Sequence, residues 1–178
     1  MSEQENQFLT TGEDIRKLLT RCKKCYSITN NGNYVIFHTK LLELIIPKKK
    51  KIGIIVNSQA DERLVGHWFT ICVYQERGER HCYLADGLDQ IRKEPEILKN
   101  IKSFCTNNHL TFSSISVRLQ LKSSKKCGFI ALFWIFQLSI SSLNAFKNLR
   151  KIMIQQSIHS NEARALRLVK KHFKIISL

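Results

Sequence analysis

"LQLKSSKKCGFIALFWI", residues 119–135, is the stretch on which the reading of this chain turns. A polar loop carrying Lys122, Lys125 and Lys126 stops at Cys127-Gly128, and an almost wholly apolar run begins there. Because "GFIALFWIFQLSI" is apolar on nearly every side, it predicts a helix buried all round. A thiol at the start of such a helix is either a packed core cysteine or a nucleophile. Its position fits both.

Upstream, short β-branched runs predict strands. They are "IGIIVNS" at 52–58, "HWFTICVYQ" at 67–75 and "HCYLADG" at 81–87, the last stopped by Gly87. Short turns between them make a meander. "SISVRLQ", 114–120, reads as a fourth strand, with Ile115, Val117 and Leu119 on one face. Helices flank these strands. In "TTGEDIRKLLTRC", Thr11 is an N-cap, and Ile15, Leu18, Leu19 and Cys22 form the buried stripe. "ITNNGNY" is a turn, "LLELII" a short apolar element closed by Pro47, and "EPEILKNIKSFCTNN" a helix. Two basic amphipathic helices are expected at 144–157 and 161–175, the last packed by Leu166, Val169 and Phe173. The expected architecture is α+β, one domain over 1–178. It has a small mixed sheet, flanking helices and a central buried helix that starts at Cys127. Residues 1–9 form a loose tail and 144–178 a basic helical extension.

With 29 Lys+Arg against 14 Asp+Glu, the net charge is +15. Such a field favours polyanions: nucleic acid, an acidic membrane face or an acidic partner. "PKKKK", 47–51, is either a solvated loop or a phosphate-contact or import segment, so Lys48, Lys49, Lys50 and Lys51 are candidate nucleic-acid contacts. Lys170 and Lys171 join them on the last helix. The N-terminus is polar and acidic, unlike a signal peptide. The longest apolar run falls short of the roughly 20 residues that span a bilayer. The 6 cysteines are therefore expected to be reduced.

The chemistry gathers at element ends. Strands 67–75 and 81–87 should pair antiparallel, which sets His67, at the start of one, beside Asp86, at the end of the other. An imidazole beside a thiol at a helix N-terminus lowers the thiol pKa, and a carboxylate on the far ring nitrogen orients the ring. A side-chain amide or backbone N–H groups can then stabilise an oxyanion, often by more than about two orders of magnitude in rate. Gln120, seven residues before Cys127, is the candidate amide. Asp89 also follows the strand, but Asp86 ends it directly. His81 opens that same strand and reads as a surface residue of the turn.

"GHW" at 66–68, Asp86, Gln120 and "CGF" at 127–129 together resemble the adenovirus-type endopeptidase, adenain, within the wider Ulp1-like cysteine proteases of the papain-like superfold. The likeness extends over most of residues 10–140 and includes "IIVNSQADERLVGHWFTICVY". It implies His67 as general base, Asp86 as its orienting carboxylate, Cys127 as nucleophile and Gln120 in the oxyanion hole. Trp68 would wall the substrate channel beside Gly66 and Gly128, so that small residues, often glycine, precede the scissile bond. Adenain has Glu where Asp86 stands; the Ulp1-like branch has Asp. The resemblance further implies processing of viral precursor proteins during particle maturation, in the host nucleus and the virion. DNA would be a stimulating polyanion, and no other cofactor is chemically required. Adenain also uses an activating peptide joined through a cysteine. Cys105 is the nearest candidate for that role here, but His109 stands in the matching place.

Two rivals remain. One keeps the chemistry and acts as a Ulp1-like isopeptidase on a ubiquitin-like modifier. The other is an inactive descendant working as a basic nucleic-acid-binding protein. Cys22-Lys-Lys-Cys25 has the spacing of half a zinc site or a redox pair, but zinc would need scattered partners such as His38. The plainer expectation is a helix-end pair with Cys22 facing the core.

Overall fold

The computed structural model describes residues 11–61, 66–114 and 118–175. The expected tail, 1–9, and the middle of the expected fourth strand, 115–117, lie outside them.

Helix α1 (Gly12–Leu19) begins where its cap requires: the Thr11 side chain accepts from the Asp14 N–H at 3.1 Å. Ile15 and Leu19 are fully buried, and Leu18 and Cys22 pack partly against the same cluster. Then come α2 (Lys23–Ile28), β1 (Val35–Phe37) and a 3₁₀ turn (His38–Leu42) that takes in the first two residues of the expected apolar element. The strands β2 (Lys51–Asn57), β3 (Trp68–Glu76) and β4 (Glu79–Ala85) form the expected meander. After α3 (Pro95–Asn107) and β5 (Thr111–Ser114), the chain ends in three helices, α4 (Cys127–Ile140), α5 (Leu143–Ile154) and α6 (Ile158–His172).

The sheet has the order β1-β2-β3-β4-β5. Its centre is antiparallel, and β1 on β2 and β5 on β4 are parallel, so the sheet is mixed. Two corrections follow. The strand expected at 114–120 is described as β5 from Thr111 to Ser114, and Gln120 is not on a strand. Val35–Phe37 adds a parallel edge strand just after the expected turn.

Both faces of the sheet are buried, so β2 and β3 read as continuous apolar runs. Ile55, Cys72, Tyr74, Tyr83 and Ala85 face one core with α4. Ile52, Ile54, Val56, Ile71, Val73, Cys82 and Leu84 face a second core with Ile97, Ile101 and Phe104 of α3. Helix α4 is the hub of the first core: every residue from Gly128 to Phe136 is buried. At about 1.5–3 kcal/mol for each large apolar side chain buried, no other helix has comparable weight. Helices α5 and α6 close over it through Phe146, Met153, Ala165, Val169 and Phe173.

Lys51 ties this arrangement together. Its Nζ donates to Ser141 O at 2.7 Å and Ser139 O at 3.4 Å, at the C-terminal end of α4, where a cation meets the negative pole of the helix dipole. Lys51 is thus a structural cap, unlike the exposed Lys48, Lys49 and Lys50 with which the sequence groups it.

Gly53 marks the closest approach of sheet and helix. A Cβ there would lie 2.4 Å from Ile135 Cδ1 and 3.3 Å from Leu138 Cδ2. Gly53→Val should therefore overpack the β2–α4 interface and lower stability by about 1–3 kcal/mol. A shifted urea midpoint with an unchanged slope is the expected result.

Candidate active site

Asp86 is the fixed point of the site. It follows the last residue of β4, and its side chain has no exposure. A buried carboxylate is costly unless its oxygens are satisfied. Here Oδ1 accepts from the Leu88 N–H at 3.0 Å, and Oδ2 accepts from the Gln90 and Ile91 N–H groups at 2.6 and 2.8 Å. The turn after the strand wraps the carboxylate, as an aspartate before glycine invites.

The antiparallel register brings His67 beside it. Thr70 pairs with Ala85, so the chain just before β3 lies next to the chain just after β4. His67 Nε2 meets Asp86 Oδ1 at 2.5 Å. The His67 backbone is clasped separately: its N–H donates to Ser58 Oγ at 2.8 Å, and its carbonyl accepts from the Ser58 N–H at 2.9 Å. Gly66 makes this turn possible, since a Cβ there would lie 2.7 Å from Gln59 Cγ and 2.9 Å from Asn57 Cγ.

With Nε2 committed to Asp86, the other ring nitrogen is left over. Nδ1 is buried and makes no conventional hydrogen bond. The Cys127 thiol lies against this ring, and each group shifts the titration of the other. Cys127 is the first residue of α4. Hydroxyl side chains cap α1, α5 and α6; α4, like α2 and α3, has no side-chain cap, and its Gly128 amide is left to the sulfur. The thiol also receives the backbone N–H groups of Trp68 and Gly128.

These contacts set the protonation states. Burial pushes the His67 pKa down, but Asp86 and Cys127 outweigh it and raise it to about 9. Burial pushes Asp86 up; His67 and the Ile91 and Leu88 amides hold it below the usual carboxylate value. Burial likewise pushes Cys127 up, and His67 with the two backbone amides brings it below the usual thiol value. A thiolate–imidazolium pair is thus favoured between the depressed Cys127 pKa and about pH 9. Its sign follows directly. Falling pH protonates the thiolate, and pH rising through about 9 discharges the imidazolium.

Gln120 joins the same place by a route other than a strand. The Leu119 and Gln120 N–H groups both donate to Gly87 O, at 2.8 and 3.1 Å. A Cβ on Gly87 would fall 2.5 Å from Ile130 Cγ2 in the first turn of α4. Gly87 therefore links the Asp86 turn, the Gln120 segment and the start of α4. The Gln120 side chain is buried, and its Nε2 donates to Ser124 O at 2.5 Å.

Other expectations are placed differently. Trp68 is 3% exposed, with its indole in the core rather than along an open channel. It offers Cys127 its backbone amide, not its ring. Asp89 is turned to Arg92 at 2.6 Å, and His81 to Glu79 at 3.4 Å. Cys105 is buried against Cys82, so it is not open to an activating peptide. His109 is exposed. Of the cysteine pair, Cys22 packs against the core as expected but is only partly buried, and Cys25 is fully buried as well. His38 lies on the α3 side of the sheet, bonded to Asn100 at 2.9 Å, whereas Cys25 belongs to the α4-side core. The two cannot share a metal, and no cluster of three or more His, Cys, Asp or Glu suited to one occurs among the described residues. Lys170 and Lys171 are exposed on α6. No described helix is long and apolar enough to cross a membrane. The Ser58 clasp and the amides of Leu88, Gln90 and Ile91 escaped the sequence reading; Asp86-Gly87 was the one signal for the latter.

His67→Ala removes the group that opposes burial of the thiol. Cys127 should then alkylate with iodoacetamide at pH 7 at least about tenfold more slowly, since one pKa unit is a tenfold change in thiolate fraction. Rates measured from pH 5 to 10 should show the wild-type advantage at neutral pH and its loss toward high pH.

No protein-family model and no curated protein sequence matches the chain. Solved structures do match it. The fold is similar to the ASFV pS273R protease, with a TM-score of 0.51 and 16% identity over 92% of this chain and 69% of that one. It is similar to AvrA delL154 with IP6 and CoA, with a TM-score of 0.50 and 15% identity over 84% of this chain and 56% of that one. This chain therefore spans little more than half the length of AvrA. The SUMO protease Ulp1 with its catalytic cysteine oxidised to a sulfonic acid also aligns, with a TM-score of 0.47 and 13% identity over 92% of this chain and 81% of that one. The α+β arrangement, with its five-stranded mixed sheet and flanking helices, is the fold shared with the ASFV pS273R protease and AvrA.

Proposed function

We propose that the chain is a thiol endopeptidase in which Cys127, His67 and Asp86 form the catalytic triad. One observation carries this reading: Cys127 starts a helix with no side-chain cap and lies against an imidazole whose far nitrogen is held by an amide-anchored, fully buried carboxylate. A packed core cysteine needs none of that apparatus. Burial alone would raise its pKa, as it does for Cys72.

In the reaction, the Cys127 thiolate attacks the scissile carbonyl carbon. The S–C bond forms, and the carbonyl π electrons move onto oxygen. Amides at the start of α4 and the Gln120 side chain are the donors that would receive that oxyanion; Gln120 would exchange its bond to Ser124 O for one to substrate. Collapse breaks the C–N bond, and the imidazolium of His67 gives its proton to the leaving amine. Water then loses a proton to His67 as its oxygen attacks the thioester. The C–S bond breaks, returning the thiolate and releasing a carboxylic acid product.

The resemblance to adenain supports the finer reading: processing of viral precursor proteins in the host nucleus and the virion, at sites preceded by small residues. The +15 charge and the exposed Lys48, Lys49, Lys50, Lys170 and Lys171 favour DNA as a stimulating polyanion.

A fluorogenic peptide ending in Gly-Gly before the reporter, assayed with and without duplex DNA, tests this reading. Turnover should be abolished in Cys127→Ala and fall at least about a hundredfold in Asp86→Asn, by analogy with loss of the orienting carboxylate elsewhere. DNA should raise kcat/KM, and the gain should shrink steeply with salt. Salt-sensitive DNA binding with no thiol-dependent turnover would instead favour a binding protein. Preferential cleavage of a ubiquitin-like fluorogenic substrate would favour the isopeptidase.

A further inference from the structure

The two C-terminal helices read from sequence as a basic extension, yet their single acidic side chain reaches the segment that carries Gln120. Glu162, in the first turns of α6, accepts the backbone N–H of Leu121 through Oε2 at 2.8 Å, across 41 residues of chain. Leu121 directly follows Gln120. Elsewhere the segment is held by the buried Leu119 side chain in the α4 core, by backbone bonds from Leu119 and Gln120 to Gly87 O, and by the Gln120 Nε2 bond to Ser124 O. The Glu162 contact thus adds a side-chain hydrogen bond from α6 to the residue that follows Gln120.

The tether is anchored. Beside Glu162, Asn161 is buried, and its Nδ2 donates to Met153 O at 2.8 Å, which locks the start of α6 to the end of α5. Ala165, Val169 and Phe173 are fully buried against the core that contains α4. Helix α6 therefore cannot shift without disturbing the helix that carries Cys127. One rigid body holds the thiol at one end and, through Glu162, the amide-bearing segment at the other.

We propose that Glu162 is a positioning residue for the oxyanion-stabilising amide of Gln120, which makes α6 a working part of the catalytic machinery. This rests on the thiol-peptidase reading above. Glu162 touches neither substrate nor thiol; it sets where Gln120 stands when charge develops on the carbonyl oxygen. Donor placement matters at the scale of about 1 Å, where misplacement can cost about a hundredfold in rate.

The test compares wild type, Glu162→Ala and Glu162→Gln, using peptide turnover, iodoacetamide alkylation of Cys127 across pH, and thermal unfolding. Glutamine keeps an oxygen that can accept the Leu121 N–H. Glu162→Ala should lower kcat about tenfold or more, with KM changed less than about twofold. The alkylation profile should be unchanged, because the thiolate–imidazolium pair does not involve Glu162. Glu162→Gln should restore kcat to within about threefold of wild type. The proposal is overturned if Glu162→Ala turns over like wild type, if alkylation falls in step with kcat, or if Glu162→Gln fails to rescue. Failure of the underlying reading looks different: wild type itself then shows neither turnover nor rapid Cys127 alkylation, and the positioning role falls with it.

Discussion

A carboxylate with no solvent exposure, Asp86, is the constraint on which the site depends. Burying that charge would be prohibitive alone, but three backbone amides and one imidazole satisfy it. The consequence is directional. The amides fix the carboxylate, His67 meets it through Nε2, and Nδ1 is the ring nitrogen left over beside Cys127. The lowered Cys127 pKa thus traces back, through His67, to the turn after β4. The charges support one another: Asp86 and Cys127 hold the imidazole protonated up to about pH 9, and the imidazolium keeps both partners ionised against the effect of burial.

The stability of the arrangement is tied to pH by the same shifts. The raised His67 pKa contributes stability that is fully present below its ordinary value of 6.5 and is lost as pH rises through about 9. The depressed Asp86 pKa contributes stability present above its ordinary value of 3.8 and lost as pH falls through the lowered value. Both contributions are in place near neutrality, where the ion pair with Cys127 also forms. Structural integrity and nucleophilicity therefore share one pH window.

Much of this was legible in the sequence because strand ends and turns are local events. Residues 52–58, 67–75 and 81–87 announced a meander by their β-branched runs, and the meander alone predicts that His67 and Asp86 meet. The apolar run after Cys127 announced the central helix. Signals failed where an element is too short to carry a period: Val35–Phe37 offers three residues, and Thr111–Ser114 has one large apolar side chain. The apolar alternation of 115–119 drew the strand assignment as far as Gln120, which lies off any strand. Lys51 looked like its lysine neighbours, because nothing local reveals that it caps a helix some 90 residues on. The contact from Glu162 to Leu121 is equally nonlocal, which is why the C-terminal helices read as an extension rather than as a brace.

Nitrogen-detected NMR of the His67 ring offers the most direct measurement of the central claim. The account predicts a doubly protonated imidazolium at pH 8 in the wild-type protein, with its midpoint near 9, and a lower midpoint in Cys127→Ala, where the thiolate is gone. A neutral ring at pH 8, titrating near 6.5 in both proteins, would contradict it: Cys127 would then be a buried thiol beside an ordinary histidine.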